Sequence, residues 1–143
     1  MGSRRTSRIC ALQTLYQLEC NTVQVEQALK LYWDHFEQAT DDDIRLEEIQ
    51  EFTNRLVIGV MECRDKVDDT IQSSSKNWKL NRMALVDRNI LRLAVYELTS
   101  LPDIPKRVSI NEAIELGKKF GSEDSGSFIN GVLDKISQSI EKD

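Results

Sequence analysis

A single histidine, His35, stands in the 143-residue chain, and its three cysteines, Cys10, Cys20 and Cys63, include no C-x-x-C pair. Histidine and cysteine supply most zinc ligands, so this donor set makes a poor metal site. An odd count without paired spacing fits reduced thiols, buried or partly buried in a cytoplasmic protein, rather than a disulfide framework. No apolar run approaches the roughly 18 residues that a membrane span requires. No signal peptide stands at the start. The opening MGSRRT fits the loose myristoylation pattern, a short pattern that carries little weight by itself. Glycine-rich phosphate loops, H-E-x-x-H and G-x-S-x-G are all missing, which removes the common signatures of nucleotide, metallopeptidase and serine-hydrolase chemistry. Asp68 and Asp69 carry no base or metal partner, and capping and solvation account for Glu112 and Glu115. The chain is expected to be no enzyme and to hold no cofactor and no metal.

Strand alternation, internal repeats and low-complexity tracts are absent too, and what is present is helical periodicity. At 143 residues the chain can bury about two-thirds of its unfolded surface, so a core needs no covalent staple. The net charge of −5 argues against a protein coated in positive charge, but its distribution is uneven. Residues 1–18 hold three Arg and no acid, residues 19–75 hold 14 acids and 5 bases, and residues 76–143 hold 10 acids and 11 bases. A nucleic-acid surface would therefore be local, built on the first turn and the C-terminal half.

The pattern predicts a helix over 3–19, with Ile9, Leu12, Leu15 and Tyr16 on its buried face. Arg4, Arg8, Leu12 and Tyr16 form an i+4 row that begins charged and ends apolar. That row implies a first turn overshooting the core, with Arg4, Arg5 and Arg8 in solvent. A second helix fits 23–38, with Tyr32, Trp33 and Phe36 as core. Thr40-Asp41-Asp42-Asp43 reads as a solvated acidic loop and cap rather than a metal site. A third helix fits 44–63, with Gly59 as a close-packing point, and the pattern resumes through Val67 and Ile71. The polar run 73–77 reads as the boundary between an N-terminal and a C-terminal helical half within one domain. Helix 84–99 is apolar almost all round, so it lies mid-bundle or offers one side to a partner. Pro102 and Pro105 confine the loop after it.

The most informative stretch is VSINEAIELGKKFGSEDSGSFINGVLDK. Ser109 and Glu112 have the spacing of a capping box opening one helix, and Gly121 stands where a left-handed cap would close it. Ser122 can cap the next helix, whose stripe includes Phe128, Ile129, Val132 and Leu133. Gly131 costs roughly 1 kcal/mol inside a helix, which predicts that something packs against its backbone.

NEAIELGKKFGSEDSGSFINGVLDK is similar to the C-terminal signature of the NusB transcription antitermination factors of bacteria. RRTSRICALQTLYQ and VDRNILRLAVYEL resemble the same family, with all three motifs in order. The resemblance implies an all-α fold of about seven helices in two packed bundles. It also implies a non-catalytic adaptor binding single-stranded boxA-type RNA together with ribosomal protein S10 (NusE). The pair would load onto elongating RNA polymerase with other Nus factors, chiefly at ribosomal RNA operons.

By the same resemblance, Arg4, Arg5, Arg8 and Tyr16 contact RNA, flanked by Asp124, Ser127 and Phe128. Lys118 and Lys119 are candidate phosphate contacts on charge grounds. The NusE surface would involve Arg82, Asp87, Arg88, Leu91 and Glu97 on the exposed side of helix 84–99. Each position has a plainer reading. An Arg-rich helix start is more often a solvated end than an RNA site, Phe128 also lies on the core stripe, and Asp87 and Asp124 suit helix first turns. Two rivals stay open: a helical scaffold that homodimerises through helix 84–99, and the NusB-like domain of an RNA cytosine methyltransferase.

Overall fold

The computed structural model describes residues 2–36 and 43–143. Within them the chain forms seven α-helices and no strand: α1 Ser3–Cys20, α2 Val25–Asp34, α3 Asp43–Glu62, α4 Arg64–Ser73, α5 Leu85–Ser100, α6 Lys106–Phe120 and α7 Ser125–Ser137, with a short 3₁₀ turn at Leu80–Arg82. The acidic cap expected at 40–43 and the end of the helix expected over 23–38 lie outside the described residues. None of the described helices is long and apolar enough to cross a membrane. No group of metal-ligating side chains gathers among those residues. Cys10 is buried, Cys63 half-buried and Cys20 exposed, all as free thiols.

α5 is the central element. Its apolar residues point in nearly every direction, and Ile90, Leu91, Leu93, Val95 and Leu98 are all buried. α1, α3, α4, α6 and α7 pack around it, and one continuous apolar cluster receives side chains from all seven helices. Of the two places its composition allowed, α5 takes the one in the middle of the bundle, with Leu85, Val86 and Tyr96 as its partly covered apolar residues.

Small polar residues let α1 and α3 approach. The Ser7 hydroxyl lies 3.0 Å from the Ile49 carbonyl, and the Thr53 hydroxyl donates back to the Ser7 carbonyl. Both pairs are buried and bonded, which avoids the penalty of unmade polar contacts.

α6 begins earlier than the capping-box spacing implies. Its N-cap is Pro105, and Ser109 lies buried one turn inside the helix. The start is held by the residues at and after the end of α7: the Lys106 amide donates to the Asp143 carbonyl, and its ammonium donates to the Ser137 and Ile140 carbonyls. Gly121 is extended rather than left-handed. It is small because the Ser125 side chain occupies the space a Cβ would need. Ser122 does not cap α7. The Ser125 hydroxyl instead accepts from the Ser122 amide at 2.8 Å.

The mid-helix glycines differ in kind. At Gly59 an added Cβ would overlap the Tyr96 ring of α5, as expected of a close-packing point. At Gly117 it would lie 2.7 Å from Ile129 Cδ1, where α6 meets α7. Gly131 is the correction: it is exposed, with nothing within 4 Å of a built Cβ. No helix crosses there, so the overpacking expected of a larger residue has no physical basis. Gly131→Ala should stabilise the fold by about 0.5–1 kcal/mol, since it lowers the backbone entropy lost on folding. Urea denaturation of the variant would show it, and a destabilised variant would mean that position 131 is covered.

Candidate nucleic-acid interface

Helical geometry turns consecutive residues by 100°, so the three arginines of α1 reach three different helices. Arg4 is exposed and lays its guanidinium over the Phe52 ring of α3, 4.7 Å from the centroid. Arg5 crosses to α6 and donates through Nε and Nη2 to both Glu112 oxygens, at 3.0 and 2.6 Å. Its side chain stays half exposed. Arg8 points inward.

Burial of Arg8 overturns its expected place in solvent. Only 4% of the residue is accessible, and it makes two 2.8 Å bonds to Glu97 of α5. Glu97 is itself 2% accessible and also accepts from the Ser109 hydroxyl at 2.8 Å. The first turn of α1 does not overshoot the core, because α5 and α6 extend alongside it. Arg8 lies on the same row as buried Leu12, and a charge there demands a partner in the fold.

Glu112 links the two arginines. Besides holding Arg5, its Oε1 lies 3.6 Å from Arg8 Nη1. The hydrogen bonds from Arg5 hold its carboxyl below the usual range, against partial burial, and the charges of Arg5 and Arg8 add to this. Ser109 and Glu112, which read as a capping box in sequence, are thus parts of this ionic cluster. Nothing local distinguishes those two uses of the same residues.

A shallow cleft of about 310 Å³ runs between α1 and α6, with Arg5 and Arg8 on one side and Lys118 and Lys119 on the other. Lys118 faces Glu115 at 3.6 Å, an exposed pair, while Lys119 lies over the Phe120 ring. Glu97 compensates Arg8, and Glu112 compensates Arg5. The exposed cations at and beside the cleft are thus Arg4, Lys118 and Lys119, with the outer edge of Arg5.

Tyr16 is 40% exposed further along α1. At the other end of the site, Asp124 takes the N-cap position of α7 without a side-chain capping bond, and both it and Ser127 are exposed. Phe128 is half-buried, packed on the core, and meets the Trp78 ring edge-on at 6.0 Å. Its place on the core stripe is realised, and its outer part stays accessible. Trp78 went unassigned in sequence because a lone aromatic in a polar run carries no periodicity.

The residues expected on a partner surface divide. Leu91 is 0% accessible and Glu97 is the buried partner of Arg8, so neither lies on an exposed side of α5. Arg88 is largely covered and pairs with Glu19 of α1 through two 3.1 Å bonds. Arg92 bridges the same carboxylate to Asp68 of α4. Burial works against ionisation of Glu19, yet the hydrogen bonds and charges of Arg92 and Arg88 still hold its carboxyl low. Arg82 is exposed. Asp87 is 9% accessible, and its Oδ1 is the one buried side-chain polar atom among the described residues without a partner.

All three sequence motifs thus meet in one network: RRTSR supplies Arg5 and Arg8, NEAIEL supplies Glu112, and VDRNILRLAVYEL supplies Glu97. Residues 5–138 match the NusB family. The chain belongs to the NusB family. It is 47% identical over 142 residues to the transcription antitermination protein NusB of Myxococcus xanthus, covering 99% of both chains. The solved NusB of T. maritima superposes with a TM-score of 0.83 at 38% identity, over 96% of this chain and 92% of that one. A chain in the complex of the antitermination factors NusB and NusE with double-stranded RNA shares the fold, with a TM-score of 0.80 at 24% identity and coverage of 96% and 97%. As a NusB protein this is a non-catalytic transcription antitermination factor.

Proposed function

We propose that the protein binds boxA-type single-stranded RNA along the α1–α6 cleft, jointly with ribosomal protein S10 (NusE). In this reading the pair joins the elongating polymerase with other Nus factors in the cytoplasm, chiefly at ribosomal RNA operons. The observation that carries it is the α1–α6 cleft, which sets Arg5 and Arg8 opposite Lys118 and Lys119, with exposed Arg4 beside it on the first turn of α1. Long flexible cations contact phosphates, and unpaired bases stack on exposed rings such as Tyr16. Asp124 and Ser127 follow the lysines in the chain and offer acceptors to base amino groups. Support for a NusE contact is Arg82, the one residue of the expected partner set that stays exposed, at the entry to α5. A NusB protein bound to NusE and RNA shares this fold.

A gel shift with a short boxA-like RNA, with and without NusE, tests the reading. Arg4→Ala and Arg5→Ala should each weaken binding and flatten the slope of log affinity against log salt by about 0.7. Thermal stability should hardly change for exposed Arg4→Ala and fall only slightly for Arg5→Ala, which gives up a half-exposed pair with Glu112. Unchanged slopes in both variants would move the RNA elsewhere.

A further inference from the structure

Trp78 is the most exposed large apolar side chain among the described residues, at 58% accessible. The loop that carries it is nonetheless tightly held. Gln72 of α4 reaches over it: its amide nitrogen lies 3.4 Å from the Ser75 carbonyl and 3.1 Å from the Trp78 carbonyl, and its amide oxygen accepts from the Leu80 amide at 2.9 Å. The Trp78 amide donates to the Ser75 carbonyl at 3.1 Å. Phe128 then backs the ring edge-on, at an interplanar angle of 75°. An indole fixed in this way keeps accessible ring surface at little further entropic cost.

The setting is cationic rather than apolar. Residues 76–82, KNWKLNR, hold Lys76, Lys79 and Arg82 and no acid. Lys76 and Lys79 are exposed and make no ion pair among the described residues. A protein hot spot surrounds its tryptophan with apolar area. A single-stranded nucleic acid asks for something else: a ring face for a base and cations for the flanking phosphates. α7 links the patch to the α1–α6 cleft. Lys118 lies against the first turn of α7, where a Cβ on Gly126 would stand 3.3 Å from its Cγ, and Phe128 follows two residues on.

We propose that Trp78, backed by Phe128 and flanked by Lys76 and Lys79, is a stacking platform for an unpaired base of the RNA. The platform extends the track beyond Lys118. It rests on the RNA-binding reading above and adds a residue which that reading does not use.

The test uses the full chain and the same short boxA-like RNA, with and without NusE. A Trp33→Phe background leaves Trp78 as the sole indole, and stacking should quench its fluorescence on titration with RNA. Trp78→Ala should weaken RNA binding about 5- to 140-fold, from ~1–3 kcal/mol per stacked base, and leave the salt slope unchanged. Trp78→Phe should restore most of the affinity. Unquenched fluorescence, with an unchanged Trp78→Ala affinity while Arg4→Ala and Arg5→Ala still weaken binding, would overturn the platform alone. A Trp78→Ala protein that loses NusE capture but keeps its RNA affinity would overturn it in favour of a protein contact. No RNA binding by the unaltered protein, with or without NusE, would remove the reading beneath it as well.

Discussion

Glu97→Ala should destabilise the protein by about 3–5 kcal/mol, the cost of leaving a buried charge without its partner. Arg8 is 4% accessible and gives two donors to Glu97, so that carboxylate is the main offset to its removal from water. Glu112, 3.6 Å away, already serves Arg5 and recovers part of the loss. At a few degrees per kcal/mol, Tm should fall by roughly 10 °C. Arg8→Ala should be costly for the mirrored reason, since Glu97 would keep only the Ser109 hydroxyl and the charge of Lys142, whose ammonium sits on the Glu97 carbonyl. Because the two charges act as a unit, the double variant should lie near the worse single variant rather than at their sum. Urea denaturation of the three proteins measures this. Additive losses, or a Glu97→Ala loss under ~1 kcal/mol, would mean that the pair is not the buried anchor of the first turn. On the proposed reading the roles should separate: Arg4→Ala and Arg5→Ala should change RNA affinity with little change in stability, and Arg8→Ala should change stability first.

Gly59→Ala should cost about 1–3 kcal/mol by overpacking, although alanine is the better helix former by ~1 kcal/mol. The new methyl group would occupy the volume of the Tyr96 ring, and Tyr96 packs against the core from α5. Either the ring leaves its rotamer or α3 and α5 part, and both lose contacts in the centre of the bundle. Truncating the obstacle reverses the sign. In a Tyr96→Ala background, Gly59→Ala should become neutral or stabilising by up to ~1 kcal/mol, as at solvent-facing Gly131. A double-mutant cycle by chemical denaturation gives the coupling directly. Equal effects of Gly59→Ala in both backgrounds would show that the ring is not what excludes a Cβ.

Much of the architecture could be read from one dimension. Helical spacing placed α1, α3 and α5 within a residue of their observed limits, and the all-round apolar character of α5 implied its central position. Those inferences succeed because burial repeats with the 3.6-residue turn and needs no knowledge of the neighbour. The C-terminal boundaries fared less well. Ser109 and Glu112 satisfy capping-box spacing while serving Glu97 and the arginines, and Gly121 is small for a Ser125 contact rather than for a left-handed turn. Local grammar admits both uses, and long-range contacts select one.

By itself the sequence determined the class of fold, the family, and the chemistry on offer: cations, stacking rings and no catalytic set. Only the tertiary structure decided which charge does what. Arg4, Arg5 and Arg8 are equivalent in composition and almost adjacent in the chain, yet one lies on Phe52, one binds Glu112 at the surface and one is buried against Glu97. Their partners stand 107 and 89 residues away for Arg5 and Arg8. The same holds for Leu91 and Glu97, which lie inside the protein, for Arg88, largely covered against Glu19, and for Gly131, which lies outside it. A side chain's charge or size is written in the chain, but its desolvation depends on what packs over it. That is set by helices distant in sequence, so the division between anchor and contact residues emerges only when the bundle closes.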